Sequence, residues 1–320
     1  MRMVKRLAAA LLAVASCAAA AQSYPSKPVR IVVPFAPGGN LDVTARLIGD
    51  SMAKQLGQNF IIENKAGAGG ALGQEQVARS APDGYTLVAA TTGTTIVSPL
   101  MIPTPPYSRE DFAAVGIMAV TPLILEVPTA SPYRDFKSYV AAVKADPGKV
   151  TIGHSGNGTT NHIAILQLQD ALKVRFNIVP YKGSGPALVD LIGNHIDSMM
   201  DQTSSSLSQV KAGRLRVLAV GTPQRLADLP DVPTLQEEGV KDFEAATPSA
   251  LLAPAKTPPE VIAILNAALN KALADPAVRA KLKELGSEIR ETTPAQLDQF
   301  MADEERKLKA LHAQGVLKGG

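Results

Sequence analysis

The stretch with the most obvious chemical potential is GHSGNG, Gly153–Gly158. It nearly reproduces the G-x-S-x-G turn that exposes a nucleophilic serine. The last glycine of that pattern belongs at 157, where Asn157 stands. Ser155 would also need a base, and hydrolase order places an acid and then a histidine downstream. His162 falls one to two turns into the helix expected to follow, His195 precedes an expected strand, and His312 lies on a polar C-terminal segment. None is well placed, so a secreted serine hydrolase using Ser155 is the weaker reading. The four histidines show neither HxxxH nor HExxH spacing, so no metal site is expected.

A second glycine-rich turn has the same surroundings as the first. IVVPFAPGGNLDVTARLI, Ile31–Ile48, reads as strand, tight loop and helix, and so does VTIGHSGNGTTNHIAILQL from Val150. Glycines at such junctions either let backbone approach a ligand or only let helix and strand pack closely; the two loops alone fit both. In open α/β sheets ligands sit beyond the carboxyl ends of the strands. A helix start there offers unpaired N–H groups and a positive dipole end. Two such starts facing one cleft suit a small molecule bearing carboxylates, with a carboxylate or its bound waters approaching Gly38 and Gly39. Nucleotide patterns fit poorly. APGGNLD is not GxxxxGK[ST], and GAGGALG has Leu72 where GxGxxG needs its third glycine.

Nearby polar residues each carry two readings. Asp42 is expected to cap its helix, or else to orient Gly38 and Gly39 through their N–H groups. The TTGTT run, Thr91–Thr95, ends a strand with hydroxyls that can donate to a carboxylate or satisfy local backbone. Tyr181, Lys182 and Gly183 end another strand, where Lys182 reaches an anion or stays on the surface. Asp201 can meet a ligand amine or ammonium, or cap the turn that follows it.

The elements that must position these residues alternate along the chain. Strands are expected at Val29–Val33, Phe60–Glu63 and within DGYTLVAAT, with helices at Leu41–Leu56 and Gly70–Ser80 between them. That order implies parallel βαβ units and an α/β fold. AAVGIMAVTPLILEVP is long enough to leave one sheet and enter a second. A second α/β series follows, with helices at Phe136–Ala145, Thr160–Leu172 and Pro186–Ile192. Its strands are Val150–Gly153, Phe176–Val179, Ile196–Met200 and Arg216–Val220. FEAATPSALLAPAKTP reads as a return strand, and Pro258–Ala274, Asp275–Leu285 and Pro294–Gln314 as helices. TPPEV and TPAQL place Thr before Pro at helix starts. The expected architecture is two α/β domains, 24–124 plus 248–320 and 125–247, joined by two crossing strands with a cleft between the lobes.

The first 21 residues carry an address. Arg2, Lys5 and Arg6 precede an apolar core, and Ala19-Ala20-Ala21 offers small residues before Gln22, so 1–21 reads as a cleaved secretory signal peptide. Without those three basic residues, Lys+Arg and Asp+Glu balance at 29 each, which removes any electrostatic case for nucleic acid. The one cysteine, Cys17, lies in the leader, so no disulfide or thiolate metal site is expected in the mature chain. Val14-Ala15-Ser16-Cys17 also matches a lipobox loosely, and lipid anchoring through Cys17 is the alternative to ordinary cleavage. No later apolar run is long enough to cross a membrane.

YPSKPVRIVVPFAPGGNLDVTARLI resembles the start of mature Bug-type (TctC-like) solute receptors of tripartite tricarboxylate transporters. So do IIENKAGAGGALGQEQVARSAPDGYTLV, GNGTTNHIAILQLQ, VPYKGSGPALVDLIGNHID and RLRVLAVGTPQRLADLPDVPTLQEEG, in order from Tyr24 to the C-terminus. The resemblance implies a periplasmic, two-lobed binding protein of Venus-flytrap form that hands a carboxylated solute to membrane permease subunits. It implies no enzyme activity and no cofactor, and monomer is the default for a diffusing receptor. A sensor that presents its liganded form to a membrane histidine kinase is the alternative. Carried over by motif, the ligand contacts are Phe35, Ala36, Gly38, Gly39 and Asp42 on the first loop, and Thr91, Gly93 and Thr94 on the third-strand loop. The second lobe supplies Ser155, Gly156, Gly158, Thr159 and His162, with Tyr181, Lys182 and Asp201 beyond. Bridging waters complete the set. The chain departs from the family pattern at Asn161, where a small residue is usual, and at Pro248-Ser249, where an aromatic pair is common.

Overall fold

The computed structural model describes residues 24–317. The leader, its cleavage site and Cys17 lie outside those residues. Among the described residues nine strands pair into one branched sheet: β1 (Val29–Val33), β2 (Phe60–Asn64), β3 (Thr86–Ala90), β4 (Phe112–Pro128), β5 (Thr151–His154), β6 (Asn177–Pro180), β7 (Ser198–Gln202), β8 (Leu215–Val220) and β9 (Ala246–Pro254). The order is β2-β1-β3-β9-β4-β7-β5-β6, with β8 also on β4.

β4 makes two lobes of this path. Its residues from Phe112 to Pro122 pair antiparallel with β9, beside the parallel set β2-β1-β3. From Leu123 onward it pairs instead with β7 and β8, beside the parallel pair β5-β6. Seventeen residues in which almost every side chain is buried can do this because helices cover both faces of each half. In the first lobe, α1 (Asn40–Leu56) and α7 (Pro259–Ala274) pack one face through Ile48, Met52, Leu265 and Leu269. The C-terminal helix α9 (Pro294–Ala313) covers the other through Leu297, Met301 and Leu308. In the second lobe, α3 (Phe136–Ala145) and α4 (Thr160–Leu172) bury Tyr139, Val143, Ile165 and Leu168 against the sheet. The expected α/β fold of two lobes is the fold found.

Helix starts follow local chemistry with instructive exceptions. α9 begins on a capping box of Thr293 and Gln296, as TPAQL suggests. In TPPEV the cap position falls to Pro258, and the Thr257 hydroxyl turns back to the Pro254 carbonyl. α2 (Ala71–Ala78), α5 (Ser184–Ile192) and α8 (Pro276–Glu284) lie within two residues of expectation. α6 (Thr203–Lys211) was not expected, because TSSSLSQVK is poor in helix formers and shows no apolar stripe.

The lobes touch through backbone. The Ala36 N–H donates to the Lys182 carbonyl across the gap at 2.9 Å. Ser98 Oγ donates to the carbonyls of Gly69 and Asn157, one on each side. A Cβ on Gly93 would lie 2.8 Å from the Gly158 carbonyl oxygen and 2.9 Å from the Thr160 nitrogen. On Gly69, whose φ is +60°, it would lie 2.0 Å from the Asn157 carbonyl oxygen. Neither side of those contacts is a flexible side chain, so neither can yield cheaply. Gly93 opens a short π-helical turn, Gly93–Val97, and its φ is not positive, which makes Gly93→Ala a wedge without left-handed backbone strain. That variant is expected to melt close to the parent but to adopt a more open, larger-radius form in small-angle X-ray scattering. Scattering identical to the parent, with and without stabilising solute, would refute the contact.

Candidate functional site

Between the lobes lies a cavity lined by Phe35, Gly39, Asn40, Leu41, Asp42 and Thr91 from the first lobe and by Ser155, Thr159, Thr160, Asn161, Ser184 and Gln202 from the second. Its empty space, open mouth included, is about 350 Å³ and is narrow throughout. The walls are therefore drawn close, and a bulky occupant would require the lobes to separate.

Two helix starts face this cavity. In α1 the first helical bond runs from the Val43 N–H to the Gly39 carbonyl, so Asn40, Leu41 and Asp42 have N–H groups with no partner inside the helix. In α4 the first is from the Ile163 N–H to the Thr159 carbonyl, which leaves Thr160 and Asn161 in the same position. Both helices exceed two turns and belong to different lobes, so their positive ends converge on one small space.

Asp42 does not cap α1 by the usual geometry; Gly39 holds that position and has no side-chain cap. The Asp42 carboxylate reaches back instead to accept from the Gly38 N–H at 3.0 Å, and also from Arg46 and Asn64. Burial alone would push this carboxyl up, but Arg46, the Gly38 N–H and Asn64 together hold it below the usual carboxylate range. Gly38 is exposed, and its N–H is already engaged. Of the two glycines, only Gly39 lines the cavity, backed by Ser184 at 3.4 Å from where a Cβ would stand.

The second turn is pinned by two histidines. The Gly156 N–H donates to His154 Nδ1 and the Gly158 N–H to His162 Nδ1, both at 3.2 Å, and the rings stack 4.6 Å apart. Burial, with the neighbouring His162, lowers His154 to about 3, and burial lowers His162 to about 4. Both rings are neutral acceptors in the neutral range. The Ser155 hydroxyl donates to Asn161 Oδ1 at 2.9 Å, an amide that cannot take a proton. The hydrolase reading fails on that geometry, since His162 faces the turn backbone and not Ser155.

Several expected contacts sit elsewhere. The Ala36 N–H is engaged across the lobes, Gly93 and Gly158 form the lobe contact, and Gly156 packs against Gly69. Thr94 is buried behind Thr91, exchanging hydrogen bonds with it and accepting from Gln74. Tyr181 turns away to donate to Asp190 at 2.7 Å, and the Lys182 side chain is exposed while its carbonyl serves Ala36. Asp201 meets no cavity space. It is fully buried and accepts from Ser184 at 2.5 Å, Ser205 at 2.6 Å, Ser206 at 3.0 Å and Asn161 at 3.1 Å. Ser206 Oγ also lies 2.6 Å from Glu126 Oε1, whose partner oxygen Oε2 has no hydrogen bond. One serine proton cannot serve two anions, so the pair shares a further proton. Burial pushes both carboxyls up, Glu126 well above the ordinary value with the Asp201 charge beside it, and since Asp201 has four donors where Glu126 has Ser206 alone, Glu126 is the neutral member.

Asn40, Leu41, Thr160, Asn161, Ser184 and Gln202 line the cavity without having been singled out as contacts. Asn161 carried a signal, as a polar residue where the family has a small one. Ser184 lay inside YKGSG, and Gln202 directly follows Asp201. Among the described residues, no group of His, Cys, Asp and Glu has the geometry of a metal site.

Two α/β lobes joined by paired crossing strands, closing on a cavity lined by helix starts, define a solute-binding receptor of the periplasmic-binding-protein class. The chain belongs to the tripartite tricarboxylate transporter receptor family, TctC, whose profile matches residues 44–316. A protein of Agrobacterium vitis from the ttuE-ttuC' intergenic region is 42% identical over 303 residues, covering 93% of this chain and 87% of its own. The solved periplasmic binding protein BugD superposes with a TM-score of 0.88 at 34% identity, covering 92% of this chain and 100% of BugD. MatC from Rhodopseudomonas palustris, solved with bound malate, superposes with a TM-score of 0.86 at 33% identity, with the same coverage. The family and these solved relatives are receptors, not enzymes.

The buried Glu126 sets a pH dependence. Its folded value is raised, so its contribution is intact below the unfolded value of about 4.3 and is lost as pH rises through the folded value. Glu126→Gln is expected to leave stability near pH 4 little changed and to raise it progressively above pH 5, by up to about 1.4 kcal/mol per pH unit within the window. Denaturant melts at pH 4, 6 and 8 measure this, and a constant offset across the three would exclude it.

Proposed function

We propose that this chain is a periplasmic receptor that closes on a small carboxylate-bearing solute and delivers it to the membrane subunits of a tripartite tricarboxylate transporter. The observation that carries this reading is the convergence of the α1 and α4 starts, one from each lobe, on a cavity whose lining includes no Lys or Arg among the described residues. An anion there does not need a cationic side chain. A helix start in a partly buried setting contributes up to about 2 kcal/mol. Hydrogen bonds to a charged group add about 1.5–3 kcal/mol each. Several such contacts act together, since they must also offset the roughly 4 kcal/mol or more that association costs in lost translational and rotational freedom. Malate in MatC is a solute of this kind in a relative of the same fold.

The proposed moving bodies are 24–124 plus 248–320 and 125–247, with β4 and β9 as the hinge. Because the cavity takes contacts from both, a ligand bound there favours the closed arrangement over the open one. Export through the leader 1–21 places the receptor in the periplasm, as a monomer.

Thermal shift of protein refolded free of bound solute, against mono-, di- and tricarboxylates and amino acids, tests the reading. A true ligand at 100 times its Kd is expected to add about 2.7 kcal/mol of stability. Stabilisation by none of the panel would overturn it.

A further inference from the structure

The hydrogens of the cavity wall are distributed unevenly, and their distribution says more about the solute than the helix starts do. On the second lobe, three hydroxyls line the space besides Thr160: Ser155, Thr159 and Ser184. Each has a single proton, and each proton is committed behind the wall. Ser155 donates to Asn161 Oδ1 at 2.9 Å, Thr159 to the Gly156 carbonyl at 2.6 Å, and Ser184 to Asp201 Oδ1 at 2.5 Å.

These directions cannot readily reverse. The Asn161 amide is oriented by its Nδ2, which is surrounded by three acceptors, the Met200 carbonyl, Asp201 Oδ1 and Gln202 Oε1. Its Oδ1 therefore faces Ser155, and it also accepts from Gln202 Nε2 at 2.9 Å. Gln202 is set in turn by donating to Thr247. The Thr159 partner is a carbonyl, which only accepts. Ser184 faces a carboxylate that takes three further donors from Ser205, Ser206 and Asn161. With their hydrogens drawn inward, Ser155 and Ser184 present lone pairs to the cavity.

Resting on the reading that a carboxylate occupies the α1 and α4 starts, we infer that this receptor selects carboxylates that also carry a hydrogen-bond donor, a hydroxyl or an ammonium, directed at the Ser155 and Ser184 oxygens. A second carboxylate oxygen placed there meets lone pairs, and a bare methylene leaves two polar oxygens without water or partner. A site that hydrogen-bonds a substrate group discriminates against the analogue lacking it because the buried partners are left unpaired. Asp201 acts through Ser184 as a positioning residue. It does not touch the solute itself.

Calorimetric titration with matched sets tests this: succinate, malate and aspartate; propionate, lactate and alanine; tricarballylate and citrate. In a set that binds, the bare acid is expected to be at least about tenfold weaker than its hydroxy or amino counterpart, and which of the two is tighter tells hydroxyl from ammonium. In Ser155→Ala and Ser184→Ala the gap is expected to shrink, because the donor-bearing solute loses affinity and the bare acid keeps it. A role confined to folding would weaken both alike. A bare acid that binds as tightly as its counterparts overturns the inference and leaves the receptor reading standing. Binding by no member of any set overturns both.

Discussion

A helix cannot satisfy its own first N–H groups, and this fold places two sets of such groups on opposite sides of one small space. Everything else in the molecule serves that convergence. The strands before α1 and α4 end at the cavity because β1 runs in the direction of β4 and β5 against it, so the carboxyl ends of the two parallel units are directed at each other. The two units face each other because β4 passes from one set of partners to the other at Leu123, with β9 returning alongside. Had β4 stopped at its midpoint, the two helix starts would lie on unconnected bodies.

Behind the cavity the second lobe holds an unusual concentration of buried polarity. Asp201, Glu126, Ser184, Ser205, Ser206, Asn161 and Gln202 are buried together and bonded to one another. Such a network is expensive unless its members are satisfied. Here nearly all are, and Glu126 escapes ionisation by sharing a proton. The serine-rich α6 follows from the same arrangement: Ser205 and Ser206 are poor helix formers whose hydroxyls are needed by the carboxylates beneath them. Tertiary demand overrode local propensity, and the consequence at the surface of the cavity is a set of hydroxyls with fixed direction.

The glycines divide between two tasks that look alike in one dimension. Gly39 lines the cavity, while Gly69 and Gly93 allow the lobes to meet backbone to backbone. Gly38 belongs to neither group, since Asp42 holds its N–H in a turn stabilised by Arg46 and Asn64. The two histidines of the second turn do similar work, accepting from Gly156 and Gly158 and holding the turn in shape. Residues that suggested catalysis or ligand contact thus build the loops that carry the contacts.

The sequence by itself determined the alternation of strand and helix, the long β4 that links two sheets, and the two strand–glycine–helix junctions that form the walls. It did so because periodicity and turn chemistry are local, and the motifs shared with the TctC family are contiguous. Phe35, Gly39, Asp42, Thr91, Ser155 and Thr159 were legible in this way. Only the tertiary structure decided the rest. Asn40, Ser184 and Gln202 reach the cavity from segments far apart in the chain, and Asp201 and His162 turn away from it into buried networks. Which side of a loop faces the cavity depends on partners far along the chain, as when Ser204 and Ser249, 164 and 209 residues away, hold Asn40 between them. No local pattern encodes that choice, because hydrogen-bond satisfaction in a buried site is settled by the whole set of groups that arrive there.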